Sequence, residues 1–141
     1  MADHSGGIYG FMFAQYFPQK LYMDLCVVDD GKGIFESFNN CDKYKPVSHV
    51  DAIEMAVNGV STKVGQENSR GFGISTSRRM LVGGLGGRFF IWSGRAGYLE
   101  QKGNAGNSFE LQGNQLFPGT FVGLRIPLNP TPGFDYIQYL D

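Results

Sequence analysis

One carboxylate and a pair of glycines stand where an apolar run of the sequence ends. Asp29, Gly31 and Gly33 follow this run directly. A carboxylate at the end of a strand can accept a hydrogen bond from an exocyclic amine, and glycine, which lacks a Cβ, lets a flat base or a phosphate approach the main chain. The residues therefore permit recognition of a base that carries an amino group, although by themselves they favour a plain Asp-Gly turn.

A second pair of glycines lies about forty residues downstream. Gly71 and Gly73 precede Ile74 at the start of a predicted helix. Backbone N–H groups at a helix start bind anions, so this position fits a polyphosphate, and a simple glycine hinge fits about equally well. In the polar loop before it, Lys63 and Arg70 could supply positive charge to phosphates, whereas each alone is typical of a solvated loop. Arg78 and Arg79, later in the helix, are interpreted as solvated.

A third element is Thr120, which follows Gly119 at the start of the last apolar run. Its hydroxyl could reach a base pocket, although threonine is also a common strand residue. Each of the three elements by itself is weak evidence for a binding site. Their order along the chain, with a helix and a loop between them, predicts a nucleotide site.

The elements that must position these residues are short and separated by glycine-rich turns. Apolar runs predict strands over residues 8–16, 21–28, 89–92, 98–101, 108–112 and 121–126. Ser48 and Asp51 predict the start of a helix that ends at Asn58, and a second helix is predicted over 73–82. Residues 61–70 predict an exposed loop. This order indicates an α+β protein, a two-layer sandwich of a mixed, mainly antiparallel sheet with helices on one face.

Length and composition restrict the partners. The 141 residues suit one domain, with a core over about 3–128 and a tail over 129–141. Twelve basic and 13 acidic side chains give a net charge of −1, which argues against a nucleic acid partner. No apolar run approaches the roughly 20 residues of a membrane segment, and the first residues lack the pattern of a signal peptide. We expect a soluble, cytoplasmic protein, and the two cysteines predict no metal site.

The combined pattern resembles the GHKL superfamily of ATP-binding domains, most closely the ATP-binding domain of sensor histidine kinases. The resemblance covers residues 3 to about 128 and implies a Bergerat-type fold with ATP as the ligand. Asp29 matches the aspartate that contacts the adenine amino group, and Thr120 matches the threonine of the same network. The residues that the resemblance assigns to the two glycine boxes and the lid are Gly31, Gly33, Ile34, Lys63, Arg70, Gly71, Gly73 and Ile74.

The family also carries an asparagine on an upstream helix, where it ligates the Mg²⁺ that bridges the phosphates. Residues 3–5 resemble the end of that helix, so the asparagine, and the glutamate base of hydrolysing members, would lie before Met1. We therefore expect this Mg²⁺ ligand to be missing, and assign no metal ligand and no catalytic residue. We also expect an uncovered apolar side of the sheet, buried by a second copy in a homodimer or by a partner protein.

Three functions follow from the resemblance. The leading one is phosphoryl transfer from ATP to a partner signalling protein or phosphoacceptor domain, as in histidine kinases and anti-sigma-factor kinases. The alternative is an interaction module or fragment that keeps the fold without binding nucleotide. A subunit of an ATP-hydrolysing machine is the least favoured, because the base and a transducer domain are not in the sequence.

Overall fold

A computed structural model describes residues 9–60, 73–129 and 132–139. Six strands form one sheet in which all pairings are antiparallel, in the spatial order β1-β2-β6-β3-β4-β5. Their bounds are β1 Gly10–Phe17, β2 Tyr22–Asp29, β3 Arg88–Gly94, β4 Ala96–Gln101, β5 Asn107–Glu110 and β6 Phe117–Pro127. The predicted two-layer α+β sandwich is confirmed. The last strand, β6, lies between β2 and β3 and joins the two parts of the sheet.

The helices are short and begin where the sequence offers local signals. Their bounds are α1 Gly33–Asn39, α2 His49–Val57 and α3 Ile74–Arg79, and α3 continues as a π-helical turn over Met80–Gly84. The predicted start of α2 is confirmed, because the Ser48 side chain accepts a hydrogen bond from the Asp51 N–H at 3.0 Å. Helix α1 was not among the predicted elements. It follows the glycine turn directly and places Ile34 and Phe38 toward the core.

The main core lies between the helices and one face of β6, β3 and β4. Phe89 and Ile91 of β3 are fully buried there against Ile53 and Val57 of α2. Because side chains alternate along a strand, the intervening residues of β3 point to the opposite face. There, Phe90 lies 5.8 Å from the ring of Phe121 and 6.2 Å from that of Phe109.

The tail returns to the helical layer. Tyr136–Tyr139 forms a 3₁₀ turn, and the Arg79 guanidinium donates a hydrogen bond to the Tyr139 carbonyl at 3.3 Å. Phe134 packs so closely on Gly84 that a Cβ at that position would overlap its ring. The tail thus docks within the chain, on the π-helical turn.

Candidate functional site

Asp29 is the last residue of β2 and lies on the helix-covered side of the sheet, where it is 5% exposed. Its Oδ1 accepts a hydrogen bond from the Gly31 N–H at 3.0 Å, and this bond shapes the turn that leaves the strand. Among the described residues, no other group donates to this carboxylate. Because the same part of the chain contains no buried side-chain oxygen without a partner, Asp29 Oδ2 must reach solvent. The carboxylate is thus held by one oxygen and open at the other.

Thr120 stands directly opposite Asp29 on one side and Ser93 on the other. Directly opposite residues of antiparallel strands have their side chains on the same face. Thr120 Oγ1 lies 3.1 Å from Ser93 Oγ, and the two residues are 5% and 2% exposed. Three neighbouring strands therefore bring a carboxylate and two hydroxyls into one row at the end of the sheet.

Ser93 determines which way these hydrogen bonds run. Its hydroxyl accepts from the Ile34 N–H at 2.9 Å and donates to the Gly119 carbonyl at 2.9 Å. A serine hydroxyl can donate only one hydrogen bond. Because Ser93 donates to the Gly119 carbonyl, the Thr120 hydroxyl must be the donor in its hydrogen bond with Ser93. Both lone pairs of Thr120 Oγ1 are then free to accept. Ser93 was missed by sequence analysis, because its importance comes from the strand register alone.

Two glycines of the site are required by packing. Gly33 has φ +79°, in the left-handed region, and a Cβ there would lie 3.0 Å from Ser93 Oγ. A Cβ on Gly119 would overlap the carbonyl oxygen of Asp29. Glycine at these two positions allows the turn after β2, the start of α1 and strand β6 to meet.

Gly73 differs from them. It is the N-cap of α3, with φ −90°, and its carbonyl accepts from the Ser77 N–H at 3.0 Å. Apart from Gly73 itself and its neighbours in the chain, no described residue has an atom within 4 Å of the position that a Cβ would take. Packing against the rest of the described chain therefore gives no reason for a glycine here, since none of the described side chains fills the space beside its backbone.

The remaining predicted residues divide into two groups. Ile34 and Ile74 are partly buried, and both side chains pack against both hydrophobic clusters, so they attach the two glycine turns to the core. Lys63, Arg70 and Gly71 lie outside the described residues, and their roles stay predictions.

The prediction that Arg78 and Arg79 are solvated is wrong for Arg78, whose side chain is 16% exposed, whereas Arg79 is partly buried. Arg78 Nε donates to the Val57 carbonyl at 3.1 Å, and Arg78 Nη1 pairs with Glu100 Oε2 at 2.6 Å. The Tyr98 hydroxyl donates to the same Glu100 oxygen at 2.7 Å, and burial together with this carboxylate raises the pKa of Tyr98. Arg78 thus connects α3 to the end of α2 through a hydrogen bond and to β4 through an ion pair.

His49, at the start of α2, is held between α1 and the turn after β3. Its ring stacks on Phe35 with centroids 4.4 Å apart, and Nδ1 accepts from the Arg95 N–H at 3.3 Å. Burial, followed by the Arg95 charge, lowers the pKa of His49, while Glu110 and Glu36 act in the opposite direction. The neutral imidazole is the form that fits this contact.

Within 9–60, 73–129 and 132–139, no three His, Cys, Asp or Glu side chains are grouped so that they could hold a metal ion. In the same part of the chain, no helix has the length and apolar character needed to cross a membrane.

Comparison of the sequence with models of known protein families and with curated proteins gave no match to either.

Proposed function

We propose that this chain is an ATP-binding domain of the histidine-kinase or anti-sigma-factor-kinase type, which passes the γ-phosphoryl group of ATP to a partner signalling protein or phosphoacceptor domain. One observation carries the proposal. Asp29, Thr120 and Ser93, from three different strands, converge in a buried row in which one carboxylate oxygen remains open. This row lies beside the glycine turn that the sequence assigned to nucleotide contact.

The open groups of the row favour adenine. A carboxylate only accepts hydrogen bonds, so Asp29 Oδ2 suits the exocyclic amino group of adenine and would face the carbonyl oxygen of guanine unfavourably. The Thr120 hydroxyl can likewise only accept a hydrogen bond from the ligand, because it donates its own hydrogen to Ser93 Oγ. It can therefore take a hydrogen bond from a water molecule or an amine on the base. A base with donors at this edge is the best match.

The phosphates would extend from the base toward the second glycine element. Among the described residues no side chain fills the space beside the Gly73 backbone, at the start of α3, which is compatible with a phosphate oxygen there. Phosphoryl transfer depends mainly on positioning and charge neutralisation, for which Lys63 and Arg70 are the predicted cations. No residue of this sequence is assigned to Mg²⁺. A protein that works on ATP in this way would act in the cytoplasm.

The proposal is tested by calorimetric titration with ATP and ADP, each with and without Mg²⁺. Asp29→Asn keeps an oxygen for the Gly31 N–H and replaces the open oxygen with an amide donor. A charge-assisted hydrogen bond contributes about 1.5–3 kcal/mol, so the affinity for both nucleotides should fall roughly 10- to 100-fold.

The neighbouring carboxylate provides the matched control. Asp30 is exposed, and its Oδ1 accepts from the N–H of Tyr9, which directly precedes β1, so Asp30→Asn should bind nucleotide as the wild type does. Equal affinities for wild type and Asp29→Asn would remove the adenine assignment. GTP binding as tight as ATP binding would contradict the proposed selectivity.

A second candidate function is an interaction module that keeps the fold without a nucleotide. The observation that favours it is the exposed apolar strand β1, in which Phe11, Met12 and Phe13 are all more than half exposed. No detectable heat with any nucleotide, from a protein that is folded by circular dichroism, would select this function.

A further inference from the structure

The exposed apolar surface is concentrated at one edge of the sheet. Strand β1 is the first strand in the spatial order, and among the described residues no strand pairs with its outer side. Four of its large side chains, and Tyr9 just before it, are 57–73% exposed. The four within the strand are Phe11, Met12, Phe13 and Tyr16.

The hydrogen bonds of β1 show which residues face outward. The Tyr9 carbonyl accepts from the Asp30 N–H at 3.3 Å, and Gly10 is in register with Asp29. In an antiparallel ladder, every second residue exchanges hydrogen bonds with its partner. The odd-numbered residues of the strand therefore bond to β2. The backbone groups that point away from the sheet belong to Gly10, Met12, Ala14 and Tyr16.

Nothing within β1 protects this edge. Natural edge strands are usually short, or they carry charged residues, proline or a bulge that prevents pairing with another chain. Gly10–Phe17 has no charged residue and no proline, and it pairs with β2 over eight consecutive residues without a change of register. An edge of this kind is typical of an interface.

We propose that the outer edge of β1 pairs antiparallel with β1 of a second copy of this chain, which joins the two sheets across a two-fold axis. The pairing in which Met12 faces Ala14 of the second copy uses all four outward residues of each strand. Each of them has one N–H and one C=O, so the two strands would exchange about eight hydrogen bonds. Two-fold symmetry makes the interface self-complementary.

The side chains agree with this register. On the helix-covered side, a large residue faces a small one in each pair, since Met12 meets Ala14 and Tyr16 covers Gly10 of the other copy. On the opposite side, Phe13 meets Phe13 of the second copy at the two-fold axis, and Phe11 faces Gln15. A strand of unrelated sequence would not repeat these matches, which favours a second copy as the occupant.

The exposed apolar surface of β1 is close in size to one side of a small stable interface. Side chains of this size bury about 150–250 Å² each, so at their observed exposures the four expose roughly 400–600 Å² per copy. Together with the backbone edge, this approaches the roughly 600 Å² per partner at which standard stable interfaces begin.

The test is sedimentation velocity over about 1–200 μM chain, a range that covers moderate dimer affinities. The wild type should approach twice the chain mass as concentration rises. Phe13→Lys and Phe13→Glu each place two like charges opposite one another at the axis, and each should weaken dimerisation at least about 100-fold. An equimolar mixture of the two variants should form a dimer again, because lysine then faces glutamate.

Two further variants separate edge pairing from other arrangements. Ala14→Pro removes an outward N–H and leaves the bonds to β2 in place, so it should also weaken the dimer. Leu99 is 47% exposed on the open face of β4, away from β1, and Leu99→Lys should leave the dimer intact.

Three results would overturn the proposal. The first is a wild type that stays monomeric up to about 200 μM, a concentration on the order of the weakest dissociation constant that the assay can detect. This result would favour a strand of another protein as the partner of the edge. The second is a mixture of the Phe13 variants that remains monomeric. The third is a dimer lost equally in Leu99→Lys, which would indicate packing of the open faces in place of edge pairing.

Discussion

Replacing Ser93 with alanine should destabilise the protein and loosen the candidate site together. The hydroxyl is 2% exposed and has three polar neighbours, the Ile34 N–H, the Gly119 carbonyl and the Thr120 hydroxyl, at 2.9, 2.9 and 3.1 Å. Alanine removes only this oxygen. The variant therefore tests whether Ser93 organises the row between β2, β6 and β3.

The magnitude follows from the groups that lose their partner. A buried polar group left unpaired costs about 1–3 kcal/mol. The Thr120 hydroxyl can rotate toward another acceptor, so the main losses are at the Ile34 N–H and the Gly119 carbonyl. We expect the free energy of unfolding to fall by about 2–4 kcal/mol, a large part of the roughly 5–15 kcal/mol that stabilises a typical domain.

Urea unfolding followed by tryptophan fluorescence measures this directly, because the chain has a single tryptophan, Trp92, next to Ser93. Thr120→Val and the double variant complete a cycle, and the two single effects should be non-additive by about 0.5–1.5 kcal/mol because the hydroxyls bond to each other. Under conditions where the alanine variant is still folded, its ADP affinity should also be lower than that of the wild type.

A change of less than about 0.5 kcal/mol for Ser93→Ala would refute the reasoning. It would mean that the Ile34 N–H and the Gly119 carbonyl obtain other partners at no cost. Additive effects in the Ser93 and Thr120 cycle would show that the two hydroxyls act independently.

Three other perturbations test separate parts of the structure. The lowered pKa of His49 means that the unfolded chain binds the proton more readily, so the contribution of His49 to stability is complete above about pH 6.5 and declines as the pH falls below it; His49→Asn should reduce the change in melting temperature between pH 7.5 and 5.5. Arg78→Met leaves the largely buried Glu100 carboxylate without its cation and should cost about 2–3 kcal/mol in urea unfolding, part of which a second change, Glu100→Gln, should restore. Gly119→Ala would overlap a backbone oxygen of β2 and should cost about 3 kcal/mol or more, whereas Gly73→Ala should cost about 1 kcal/mol or less and weaken ATP binding more than adenosine binding; equal costs for the two glycines would contradict the packing described.

Local signals were sufficient for most of the elements. Apolar runs bounded by glycine and proline indicated each of the six strands, and Ser48 with Asp51 indicated the start of α2, because strand periodicity and helix capping depend on residues close in sequence. Helix α1 was missed because it spans seven residues directly after a glycine turn, too short for a clear helical period. The partners of Arg78 were missed because Glu100 is 22 residues away on another layer.

For the candidate site, the sequence alone determined the residue types: an aspartate at the end of a strand, glycines at the following turn, and a Gly-Thr pair before the last strand. Only the tertiary structure decided that Thr120 stands between Asp29 and Ser93. The physical reason is that β6, the last strand, inserts between β2 and β3, which are separated by more than 50 residues. Strand order and register arise from packing of the whole sheet against the helices. No local sequence pattern therefore predicts that these side chains meet, or that Ser93 sets the direction of the hydrogen bonds around Thr120.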